Sequence, residues 1–239
     1  MELVKKEWTS ADNDEFEKWL ISLPTENVQF TTNIINSTSR VLGIKIPELR
    51  KIAKEICKGN FCSFLDKIHI NLYEFYTIKA LIIAKIKDCK LLLEHIKSFV
   101  FEIDNWATCD IFCGDCKLIK TNQDYFIDEI VGFLKSDREF VCRVGIIMLM
   151  KFYLHDKYID YVLDLVTNIR NNQYYVKMGI AWLLAEAAIK YPDRIKSVLL
   201  NSKINKEIKV KAISKICESF RIDDEYKLEL RAYKNAFLH

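Results

Sequence analysis

Apolar residues recur at steps of three and four along almost the whole chain, which is the helical period and not the two-residue period of a strand. "DEFEKWLISL" carries Phe16, Trp19, Leu20 and Leu23; "LRKIAKEICK" carries Leu49, Ile52, Ala53 and Ile56; "YTIKALIIAKI" carries Ile78, Leu81, Ile82 and Ile86. Pro47 stands where the second of these enters its first turn, a position at which the missing N–H costs nothing. Further helices are expected at residues 89–101, 105–119, 123–135, 138–153, 156–168, 173–190, 205–219 and 223–237. The breaks between them are short and polar, and their Asp and Asn residues suit helix N-caps.

Only six glycines and three prolines occur in 239 residues, well below the roughly 7% and 5% of ordinary usage. That scarcity excludes sheets joined by many tight turns, and it excludes glycine-rich phosphate loops. Helix pairs follow one another at about 35–40 residues, near the period of HEAT-like arrays, although no crisp sequence repeat accompanies it. The expected fold is therefore all-α: a single HEAT-like helical-repeat domain over residues 1–239, an α-solenoid with a concave face. One stretch stands apart, "PTENVQFTTNIINSTSRVLGIKI" at 24–46. Its Thr, Asn and Ser content disfavours a continuous helix, so it is expected to be an irregular N-terminal connection.

A formal charge of +3 leaves the partner open, because clustering on a face matters more than the sum. No run reaches the roughly 18 apolar residues of a membrane span, and "MELVKKEWTS" has no apolar run behind its basic residues to make a secretory signal. The eight cysteines are accordingly expected to be reduced thiols in a cytoplasmic protein.

Three of them, Cys109, Cys113 and Cys116, lie in "NWATCDIFCGDCKLIK" with the C-x3-C-x2-C spacing that can hold an iron–sulfur cluster. Steps of four and seven also return to one side of a helix at about 100° per residue, where Cys is a packing residue. The four histidines are scattered singly, so no zinc-ligand set can be named. No metal and no other cofactor is expected.

The same stretch places Trp106 and Asp110 four apart, with Cys113 and Lys117 continuing the steps. Taken alone, the pattern fits an exposed acid beside a half-buried indole better than it fits a working site. Two later helices add to it. "FVCRVGIIMLMKFY" puts Arg143 early in an apolar helix, and "YYVKMGIAWLLAEAAIKY" puts Trp182 mid-helix, five residues after Lys177.

Together "NWATCD", "CRVGIIMLMKF" and "YYVKMGIAWLLAEA", with "LGIKIPELRK" as a weaker match, make the chain resemble the HEAT-like DNA alkylation repair glycosylases of the AlkD type over residues 43–221. The resemblance implies a monofunctional DNA N-glycosylase that removes N3- or N7-alkylated, cationic purines from double-stranded DNA. It implies that Asp110 is catalytic, that Arg143 holds the DNA backbone, and that Trp106 and Trp182 contact the lesion nucleotide. It also implies a monomer, and a lesion handled without flipping into a deep pocket. Phosphates are expected to meet Arg50, Lys177 and Lys211, with Lys117, Lys215 and Arg221 as further candidates, although a cation at such a position is more often simply solvated. Active members carry an aromatic-rich N-terminal helix before the "FLGI" segment, whereas "FTTNIINSTSRVLGI" has Phe30 as its one aromatic. A second reading follows: a non-catalytic helical-repeat module that holds DNA or a protein.

Overall fold

The computed structural model describes residues 1–201 and 203–238. Among the described residues the named elements are fifteen α-helices and one short 3-10 turn at Ser10–Asp12, with a single isolated parallel bridge between Arg40 and Leu72. The all-α expectation is met. The chain divides into two compact units, Met1–Leu118 and Ile119–His239.

The first unit holds α1 (Asn13–Ile21), α2 (Val28–Ile35), α3 (Ile46–Ile56), α4 (Phe61–Lys67), α5 (Tyr73–Ile83), α6 (Cys89–Phe99) and α7 (Trp106–Asp115). Helix α5 packs between α3 and α7, and ten of its eleven residues are buried, as expected for a helix without a solvent face. Pro47 sits in the first turn of α3, whose Leu49, Ile52, Ala53 and Ile56 face the core. The N-terminal end closes on an aromatic cluster in which Trp8 meets Phe16 and Phe64 edge-on, with centroids 5.8 and 5.0 Å apart. Asn60, Asp88 and Asn105 accept the capping N–H groups of α4, α6 and α7, as polar residues at these breaks should.

Residues 24–46 require a correction. The segment is not an irregular connection throughout: "VQFTTNII" forms α2, and Asn27 and Asn36 bound it in the left-handed conformation, at φ 48° and 53°. Asn is the non-glycine residue that adopts this conformation most readily. The helix is only eight residues long, so its apolar residues never complete the pattern that reveals longer helices. The chain after it is irregular but tied down. The carboxylate of Glu74, buried in α5, accepts the backbone N–H groups of Leu42 (3.0 Å) and Gly43 (2.8 Å). Gly43 has φ +84°, and a Cβ there would lie 2.8 Å from the Glu26 carbonyl oxygen. Nearer α2, Asp104 accepts from the Thr38 N–H at 2.6 Å, from the Ser37 and Thr38 hydroxyls and from the Asn105 amide.

Burial pulls the Asp104 carboxyl upward, but the bonds from Thr38, Asn105 and Ser37 outweigh it and leave it below the usual carboxylate range. A folded-state value below the unfolded one contributes stability that is present above the unfolded pKa and is lost as pH falls through the folded one. Urea unfolding should therefore find Asp104→Asn less stable than the wild type at pH 7, with the gap closing as pH drops below about 4. A gap that persists unchanged at acid pH would contradict this account.

The second unit contains α9 (Gln123–Phe133), α10 (Glu139–Phe152), α11 (Ile159–Thr167), α12 (Tyr174–Ala188), α13 (Pro192–Asn201), α14 (Lys206–Glu218) and α15 (Asp224–Leu238), entered through the short α8 (Leu118–Thr121). Helix α12 packs against both α10 and α14. Close packing is visible at Gly145 of α10, where a Cβ would stand 3.0 Å from the Ile130 carbonyl oxygen of α9. One polar pattern occurs twice in this unit. Asp124 accepts from Lys157 and Tyr158; one helix pair later, Asp156 accepts from Lys190 and Tyr191. Tyr226 then donates to the Pro192 carbonyl. The "KY" pairs at 157–158 and 190–191 are the sequence trace of this register.

Candidate functional site

In the first unit the N-terminus of α7 is fixed by its cap: the Asn105 side chain accepts the Thr108 N–H at 2.9 Å and donates to the Thr108 hydroxyl. That cap sets the direction of Trp106 and Asp110, both half-buried. The Trp106 indole N–H donates to the Ile34 carbonyl at 2.9 Å, and its ring packs against buried Ile35, Val41, Tyr73 and Ala107. Trp106 is thus held by α2 and the segment behind it. Val28, Phe30 and Ile34 of α2 stay exposed, Phe30 most of all at 66%.

Two expectations about α7 change. The helix ends at Asp115, so Lys117 does not share a helical face with Trp106 and Asp110. Cys116 occupies the C-cap, with ψ 53°, instead of extending a helical line of cysteines. Cys109, Cys113 and Cys116 are nevertheless fully buried. Burial pushes the Cys113 and Cys116 thiols well above their ordinary range and that of Cys142 up to about 12. Buried thiols of this kind pack as small apolar groups. Among the described residues no group of three or more His, Cys, Asp or Glu side chains is placed to hold a metal ion.

In the second unit Arg143 is 5% exposed, and its Nη1 donates to the Tyr175 carbonyl at 2.8 Å. Its guanidinium carbon lies 5.9 Å from the Tyr175 ring centroid. Glu139, one turn earlier on α10, accepts the Tyr175 N–H at 2.6 Å. Arg143 is therefore an oriented group and not a mobile surface cation. Trp182 is half-buried on α12, with the Lys151 ammonium 4.8 Å from its ring centroid. Its N–H donates to Glu186 at 3.3 Å, and Glu186 in turn takes Arg221 at 2.9 Å. Lys151 and Glu186 are not marked in the sequence as partners of Trp182; the signal for Glu186 is its place one helical turn after Trp182.

The expected phosphate contacts divide. Lys211 is exposed on α14. Lys177 is paired with Glu207 and only 16% exposed in its side chain, and Arg50 is paired with Asp115. Either pair would have to open, or share its cation, to meet DNA. Residues 24–216 match the family model described as "DNA alkylation repair enzyme". The chain belongs to that family. The match covers α2 through most of α14, and so takes in Trp106, Asp110, Arg143 and Trp182 together. No curated protein matches the chain. Membership in a DNA alkylation repair family makes DNA the partner class, and among the described residues no helix is long and apolar enough to cross a membrane.

Proposed function

We propose that this DNA repair protein is a monofunctional N-glycosylase that releases N3- or N7-alkylated purines from duplex DNA. The observation that carries the reading is a carboxylate, Asp110, one helical turn from an indole, Trp106, whose position is fixed by both its N–H bond and its packing. Departure of an alkylpurine leaves positive charge on the deoxyribose. A preorganised carboxylate stabilises that oxocarbenium-like transition state, and it orients the water that adds to C1′. The alkylated base already carries a positive charge, so it leaves as a neutral base without a general acid.

Trp106 offers a ring face to the cationic nucleobase, an interaction worth about 0.5–2 kcal/mol, and Trp182 is assigned by the family resemblance to the lesion strand. Arg143 contacts a phosphate by sharing the guanidinium now held against the Tyr175 carbonyl, exposed Lys211 adds backbone charge, and Lys177 and Arg50 do so by sharing their ion pairs. Phe30 and Ile34, exposed beside the strand of contacts that holds Trp106, supply an apolar surface where other members of the family are richer in aromatics.

A mechanism driven by lesion charge has a direct consequence. Duplexes carrying 7-methylguanine or 3-methyladenine should release free base, and duplexes carrying the neutral lesion O6-methylguanine should not, as followed by chromatography of the released base. Equal release from neutral and cationic lesions would sink the mechanism. Salt-dependent binding of all three duplexes with no release from any would instead establish the non-catalytic DNA-binding reading.

A further inference from the structure

The first unit contains a half-open cavity of about 740 Å³ that none of the residues discussed as catalytic lines. Its size falls within the roughly 300–1,000 Å³ of small-ligand sites. The accessible apolar wall is Phe61 from the start of α4, and behind the cavity lie the core residues Leu81, Ile82 and Ile86, all at least 96% buried. The rim is cationic. Lys85 and Lys87 follow α5, Lys117 follows α7, and all three are exposed. Among the described residues lining the cavity there is one acid, Asp115, and it is taken by Arg50.

Lysines after helix C-termini complement the helix dipole, which accounts for their charge but not for an apolar hollow between them. A hollow with an aromatic wall and several unneutralised ammonium groups is what a base with a phosphate attached requires: a stacking surface and point charges for the anion. A phosphate group, with more than one anionic oxygen, can accept from several ammonium groups at once.

We propose that this cavity holds an unstacked nucleotide, with its base against the partly exposed Phe61 ring and its phosphate met by the rim lysines Lys85, Lys87 and Lys117. The proposal rests on the family's DNA partner and is independent of base release. The nucleotide comes either from a single-stranded portion of the bound DNA or from free solution.

The test compares a blunt duplex with the same duplex carrying a single-stranded overhang that contains 2-aminopurine. The overhang duplex should bind about tenfold more tightly, with a change in 2-aminopurine fluorescence, as expected for one stacked base plus phosphate contacts. The double variant Lys85→Ala/Lys87→Ala should remove most of that advantage and reduce the salt slope by about two. Phe61→Leu should keep the salt slope and lose the fluorescence change. Unaltered thermal unfolding controls for the fold. Displacement of the overhang by deoxyadenosine monophosphate would support the site with free nucleotide as a ligand; tight overhang binding without displacement would support it with the strand as the source. Equal affinity for blunt and overhang duplexes would overturn the proposal. So would a double variant that weakens both equally, or binding to phosphatidylglycerol vesicles that the double variant loses while its DNA binding is unchanged. Base release from a blunt 7-methylguanine duplex, measured on the same samples, should be the same in all three proteins. Its absence in the wild type would overturn the glycosylase reading and leave the overhang result standing.

Discussion

Asp110→Asn should lower the rate of 7-methylguanine release by at least about a hundredfold, the range found when one preorganised electrostatic group is removed from a reacting centre. The substitution keeps the shape of the side chain and removes its charge. Ground-state binding depends on many phosphate contacts, so duplex affinity should stay within about threefold, and the loss should appear in the chemical step. An electrostatic effect requires α7 to stay in place. Its cap from Asn105 to Thr108 does not involve Asp110, and unaltered thermal unfolding of the variant would confirm that the effect is electrostatic. A variant that releases base at the wild-type rate would remove Asp110 from the mechanism.

Glu74→Ala should have the largest effect on stability. The carboxylate is fully buried and accepts the N–H groups of Leu42 and Gly43, with that of Ile44 more distant at 3.4 Å. Removing it strands at least two buried donors at about 1–3 kcal/mol each. For a chain of this size, a loss of about 3 kcal/mol corresponds to a fall in Tm of roughly 6–12 °C, measurable by circular dichroism. The same change frees the segment 41–44, whose Val41 packs with Trp106. Base release should therefore fall along with stability even below the new Tm. A Tm within about 2 °C of the wild type would show that other contacts hold this segment.

How far such features can be read from sequence depends on their length. Helices α3, α5, α10 and α12 are long enough to repeat their apolar period, and Leu49, Ile52, Ile78 and Ile147 lie in the core where that period puts them. Helix α2 is too short to show a period. It stands because Asn27 and Asn36 stop it at both ends and because Asp104 and Glu74, 66 and 32 residues from their partners, hold the chain that follows. Nothing local in "FTTNIINSTSR" encodes those distant carboxylates. Helices α4 and α13, in stretches for which the apolar period gives no helix, carry only local signals, Asn60 as a cap and Pro192 at a first position.

The candidate site was legible as residue types and less so as environments. Trp106 and Asp110 fall one turn apart on a helix as their spacing requires. The pairing of Lys177 with Glu207, of Arg50 with Asp115, and of Trp182 with Glu186 joins residues whose relation depends on which helices neighbour one another. Lys117 was misplaced for a simpler reason: α7 ends at Asp115, and an apolar pattern that resumes at Leu118 conceals the break at Cys116.

The central claim is that this chain breaks the glycosidic bond of a cationic purine with Asp110 as the working carboxylate. Its most direct test is a single-turnover time course of free 7-methylguanine from a lesion duplex, run with wild type and Asp110→Asn at protein concentrations that saturate the DNA. The account predicts release by the wild type well above the protein-free rate, and near-background release by the variant at equal occupancy. Saturated wild-type complex that releases base no faster than the duplex alone would contradict it.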